Sequence, residues 1–90
     1  MAYAVMIQVK VDTNSDREHR YSILNDFVVP EAKALPGFEQ GTWMNDGAGI
    51  GTCVVVFDTE EHATAAIISL TRPGGPPIIS SGVHEVEIGV

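Results

Sequence analysis

The chain has 90 residues, 44% of them hydrophobic and 19% charged, a balance that belongs to a folded domain rather than a disordered segment. Twelve acids against five scattered bases (Lys10, Arg17, Arg20, Lys33 and Arg72) give a formal charge of −7, which argues against nucleic acid and against an anionic membrane surface as partners. No apolar run approaches the roughly 20 residues of a membrane span, the first residues lack the basic segment of an export leader, and Cys53 stands alone, so no internal disulfide framework forms; together these predict a single cytoplasmic domain over 1–90.

Residues 2–12, AYAVMIQVKVD, begin as an apolar run and then alternate, with Gln8, Lys10 and Asp12 against Ile7, Val9 and Val11. This is the pattern of a strand buried on both faces at its start and half-exposed at its end. Residues 12–16 are cap and turn types. Over 15–35, Tyr21, Leu24, Phe27, Val28, Glu31 and Leu35 recur at helical spacing, which predicts a helix with Tyr21 on its core-facing stripe. Pro30 falls inside it. An interior proline loses a hydrogen bond and meets the carbonyl one turn back, at a cost of about 3 kcal/mol. A kink is therefore expected, or a break at which Pro30 opens a short second helical segment. Pro36-Gly37 closes the helix.

Phe38 to Asn45 is predicted as the second strand, Asp46-Gly47-Ala48-Gly49 as a hairpin turn, and Ile50 to Phe57 as the third strand, which ends in five apolar residues. Asp58 is expected to cap the next helix with Glu61 as its capping-box partner. Ala63, Ala66, Ile67 and Leu70 form the narrow apolar stripe of that helix. Residues 72–77, RPGGPP, can be neither helix nor central strand. Val83 to Val90 reads as the last strand, Val83, Glu85 and Glu87 alternating with His84, Val86 and Ile88.

The order β-α-β-β-α-β, joined by right-handed crossovers, lays out a four-stranded antiparallel sheet in spatial order 4-1-3-2 with two helices on one face. The fold class is α+β, ferredoxin-like. Its central strands would be the first and third, which carry the uninterrupted runs Ala2 to Ile7 and Cys53 to Phe57; the edges carry Glu39, Glu85 and Glu87. Two helices cover one face. A bare second face would leave on the order of several hundred Å² of apolar surface in water, and its simplest cover is a second copy related by a two-fold axis.

Few side chains offer chemistry. Trp43 and Asn45 lie two apart and point the same way, so they could hold a planar ligand, or pack at a dimer seam and start the turn. His84 titrates near neutrality and suits a general base, or a hydrogen-bonded strand position. Glu85 and Glu87 form either a carboxylate pair or a solvated edge. His62 reads as solvated in the first turns of its helix, and His19 sits among Arg17, Glu18 and Arg20. The three histidines lack metal-ligand spacing, so no metal is expected. The glycines of 47–51 lead into a strand, which makes them turn residues rather than a phosphate cradle. Tyr21 is a proton donor or a core residue, and Cys53 a small core residue.

Ala34-Leu35-Pro36-Gly37-Phe38 at the helix-to-strand corner, Asp46-Gly47 at the hairpin and Phe57-Asp58-Thr59-Glu60-Glu61 leading to the second helix follow a short apolar first strand. In this order and spacing the chain resembles the dimeric α/β-barrel proteins, and among them the antibiotic-biosynthesis-monooxygenase-like family, over nearly its whole length. The resemblance implies a dimeric α/β barrel and a cofactor-free monooxygenase acting on an aromatic or polyketide-like small molecule. The alternative is a non-catalytic dimeric module that binds a small molecule or a partner. The expected site residues are His84 and Asn45 in catalysis, with Trp43, Tyr21 and Phe57 against the substrate. Catalytic members of the family often carry a Trp where Phe57 stands and a His where Ala66 stands, and heme-degrading members an Asn in the first strand, which here offers Gln8. That constellation is not carried over.

Overall fold

Val5 stands opposite Val55 at the centre of the molecule, and neither exposes any surface. The computed structural model describes residues 2–12, 16–71 and 75–89. Around that pair, β1 (Tyr3–Lys10), β2 (Phe38–Asn45), β3 (Ile50–Phe57) and β4 (Ile78–Glu85) form one antiparallel sheet in the order β2-β3-β1-β4. This is the predicted ferredoxin-like order. The two apolar runs occupy its centre, where a strand has neighbours on both sides and layers above it.

The backbone stays helical from α1 (Arg17–Ile23) through a π-helical turn (Leu24–Val28) into α2 (Val29–Lys33). Asp16 starts it, its Oδ1 accepting the Glu18 N–H at 3.1 Å. At the other end of the π turn the Val29 N–H donates to the Leu24 carbonyl, five residues back. Pro30, with no N–H to give, lies in the first turn of α2. The helix thus does not break. It widens by one residue per turn just before the proline, which gives the ring room that an α turn denies it. The expected second segment opened by Pro30 is present, continuous with the first.

The helix leans on the sheet through α2 against β2. No residue of α1 or of the π turn is buried, and α2 buries only Ala32. Tyr21, Ile23 and Phe27 are exposed, so the core-facing place expected for Tyr21 is corrected. By contrast α3 (Glu60–Leu70) lies close on β1, β3 and β4, because Ala63 and Ala66 are buried and small. Its cap is Thr59, whose extended backbone turns Oγ1 to accept the His62 N–H at 3.1 Å. Asp58, expected as the cap, sits one residue further out.

The last strand is shifted from the expected Val83 to Val90. It runs Ile78–Glu85, and Ser80, Ser81 and Gly82 pair with Gln8, Ile7 and Met6. Serine and glycine look like loop, yet backbone pairing to β1 outweighs their weak strand preference at an edge. Glu85 closes β4 and Glu87 lies beyond it; both are exposed. Of the predicted 72–77 loop, 72–74 lie outside the described residues, and Pro77 accepts the Lys10 N–H at 2.9 Å.

The pairing register sorts side chains onto two faces. Tyr3, Val5, Ile7, Val9, Phe38, Trp43, Cys53, Val55, Phe57 and Val83 face the helices and make the core. Ala4, Met6, Gln8, Thr42, Met44, Thr52, Val54, Val56 and His84 lie on the other face, which no described helix covers. There Met6 is 39% and Met44 49% exposed.

Candidate functional site

The β2–β3 hairpin ties itself together. Asn45 Oδ1 accepts the Gly47 N–H at 2.9 Å, and Asp46 Oδ1 accepts the N–H groups of Ala48 at 2.8 Å and Ile50 at 3.0 Å. Those backbone donors, Ile50 first, hold the Asp46 carboxyl below the usual carboxylate range. Gly47 and Gly49 take positive φ, as the turn requires. Asn45 therefore serves the turn, and it also lines an open cleft of about 60 Å³ with Val11, Arg20, Gly47 and Gly49. Trp43 faces the helices like Asn45, as the two-residue spacing demands, opposite Cys53. Its ring folds back over Gly41, where a Cβ would come within 2.8 Å of two ring carbons, and it packs on the core.

His84 is not brought to this place. Val83 pairs with the buried Val5, so His84, paired with Ala4, projects from the opposite face of the sheet and from the opposite edge strand. Phe57 is fully buried, edge-on to Phe38 with ring centroids 6.3 Å apart, and is a core residue with no surface for a substrate. Tyr21 is engaged on the outside of α1. Its hydroxyl accepts from Arg17 Nε at 3.0 Å and Nη2 at 2.8 Å, with the guanidinium 5.2 Å from the ring centre. Of the five expected site residues, Trp43 and Asn45 share one side of β2, Trp43 and Phe57 belong to one core, and His84 and Tyr21 lie apart from them. Gln8 lies on the uncovered face, donating to Thr52 at 3.4 Å and accepting from Ser80 at 3.2 Å, while Ala66 is buried. Burial pushes the Cys53 thiol up, in keeping with a core role.

The structure adds a pair that sequence reading passed over. Once Thr59 has taken the capping role, the carboxylate of Asp58 is free to reach His62, Oδ1 to Nδ1 at 2.6 Å. That hydrogen bond is the main reason the Asp58 carboxyl lies below its usual range. The pair rests on Gly37, whose carbonyl accepts the Asp58 N–H at 2.9 Å. A Cβ at Gly37 would fall on Asp58 Oδ1 and on His62 Nδ1. His62 lines a second open cleft, about 110 Å³, together with Leu35, Pro36, Ala65, Ala66 and Ser69. The four-residue spacing of Asp58 and His62 was visible in the chain; which of Asp58 and Thr59 caps the helix was not. Among the described residues no group of three His, Cys, Asp or Glu side chains could hold a metal ion, and no helix is long and apolar enough to cross a membrane.

No family model matches the sequence, and no curated protein matches it. Solved structures do match. A heme-degrading protein of Mycobacterium tuberculosis has 18% identity and a TM-score of 0.65, covering 100% of this chain and 99% of that one. A monooxygenase of Streptomyces coelicolor, solved with nanaomycin D, has 14% identity and a TM-score of 0.64, covering 99% and 90%. A cofactor-independent oxygenase of Streptomyces nogalater has 11% identity and a TM-score of 0.63, covering 99% and 96%. At these identities the likeness establishes a shared fold, and those proteins differ in chemistry among themselves.

Proposed function

We propose that this chain is a cytoplasmic, cofactor-free oxygenase of small aromatic molecules, built as a homodimer on the antibiotic-biosynthesis-monooxygenase-like plan. One observation carries the reading: the likeness to two oxygenases runs essentially the full length of the chain. The layout is compatible with it. The first helix meets the sheet at α2, and the molecule carries shallow clefts, one bearing Arg20 and Asn45 and the other His62 and Ser69 beside apolar walls. Cofactor-free oxygenation asks a protein to bind an aromatic hydroxyl, take its proton and shield the electron-rich anion while it reacts with dioxygen. In this reading Trp43 and Asn45 orient the substrate on the helical side. His84, on the uncovered face, stands apart from that site, and a net charge of −7 disfavours nucleic acid as a partner.

A second reading, a non-catalytic dimeric binding module, is favoured by specific facts. Phe57 and Ala66 fill the core, and the cleft at Asn45 is smaller than an aromatic ring. Oxygen uptake with a panel of dihydroxynaphthalenes and quinols separates the two. Uptake with an oxygenated product is the expected outcome. No uptake, with a melting temperature raised by the same compounds, decides for the binding module.

A further inference from the structure

His62 is held from three sides. Its backbone N–H goes to Thr59, its Nδ1 to Asp58, and Gly37 packs beneath both rings of contact. A carboxylate on Nδ1 holds the proton there and leaves the lone pair on Nε2. Nε2 has no hydrogen-bond partner among the described residues. The cleft beside it is walled by Leu35, Pro36, Ala65 and Ala66, with the Ser69 hydroxyl and no charged group besides His62. Its volume of 110 Å³ sets the size of an occupant. A dry cavity of roughly 150 Å³ takes one benzene ring; this open cleft is smaller, so it receives the hydroxyl-bearing edge of a single ring and leaves the rest in solvent.

We propose that Asp58 and His62 form a proton-accepting pair that binds and ionises the hydroxyl of a monocyclic phenol in this cleft. The proton passes from the phenol oxygen to Nε2. The resulting imidazolium is neutralised by Asp58, and the proton is later returned to water. The binding and proton transfer stand on the geometry of the pair; only the fate of the anion, attack on dioxygen, rests on the oxygenase reading.

The test uses para-nitrophenol, whose anion absorbs visible light, near neutral pH, where part of the free phenol is protonated and an imidazole still offers its lone pair. The 90-residue chain is expected to raise the anion fraction and to shift the His62 ring-nitrogen NMR signals, which start as the Nδ1–H tautomer. His62→Gln should return the anion fraction to that of buffer. Asp58→Asn, which removes the carboxylate from Nδ1, should lower the anion fraction that the site produces and alter the His62 ring-nitrogen signals. Ala65→Leu, an exposed position on the cleft rim, should abolish phenol binding while leaving the His62 tautomer unchanged. An unaltered anion fraction in folded His62→Gln, or His62 signals that ignore the phenol, would overturn the proposal. Ionisation of para-nitrophenol by a protein that takes up no oxygen with any quinol would uphold this site and remove the oxygenase reading.

Discussion

At Gly37 the absent side chain matters twice. Its φ of +80° lies in the region that costs other residues about 1–2 kcal/mol, and a Cβ would also collide with Asp58 and His62. Gly47, with φ of +76°, meets open space. Gly37→Ala should therefore lower the urea midpoint clearly more than Gly47→Ala and should disturb the His62 ring signals; equal losses would show that the pair is not packed on Gly37. The Asp58 carboxyl has its folded pKa depressed, so its contribution is present above the usual carboxylate range and is lost as pH falls through the lower, folded value. Melting temperature should accordingly drop on acidification, and less steeply in Asp58→Asn. Phe57→Ala should cost about 3–5 kcal/mol, a large part of the 5–15 kcal/mol that stabilises a typical domain. Loss of the cooperative thermal transition would report that, whatever happens to ligand binding. At this scale the sequence was a partial guide. The placement of Trp43 and Asn45 on one side of β2 follows from spacing alone. The burial of Phe57 and the exposure of Tyr21 do not, because both depend on how closely a helix settles on the sheet.

The first helix shows how an element absorbs a local conflict. Helical periodicity from Tyr21 to Leu35 and a proline at position 30 are both plain in the chain, and each principle alone predicts a different outcome. The π turn reconciles them. In Pro30→Ala the amide restored at position 30 should find an acceptor one turn back and become protected in hydrogen exchange, as the turn closes to α geometry; an amide that exchanges freely would mean the widening has another origin. The last strand failed for the opposite reason. Ile78 to Gly82 carries no convincing periodicity, and only its pairing to β1 makes it a strand. Composition in that stretch speaks of turns, while the exposed edge of a central strand supplies hydrogen bonds to whatever backbone lies beside it.

For the whole molecule the open question is the uncovered face of the sheet. Met6 and Val54 are direct partners at its centre, flanked by Ala4, Val56 and Met44. If a second copy covers it, light scattering at micromolar concentration should give twice the chain mass of 9.6 kDa, and Met6→Lys combined with Val54→Lys should halve that mass, since two ammonium groups facing their twins would be buried unpaired. A wild-type monomer would remove the dimer.

The amino-acid sequence by itself determined the order of elements, the strands that lie at the centre and the stripe by which α3 packs. These follow from the periods of two and 3.6 that side chains impose on strands and helices, a property of near neighbours. Tertiary structure alone decided which face His84 looks from, that Asp58 meets His62, and how far α1 stands from the sheet. Register and layer spacing are set by partners distant in the chain, and a shift of one residue in pairing turns every side chain of a strand to the other face.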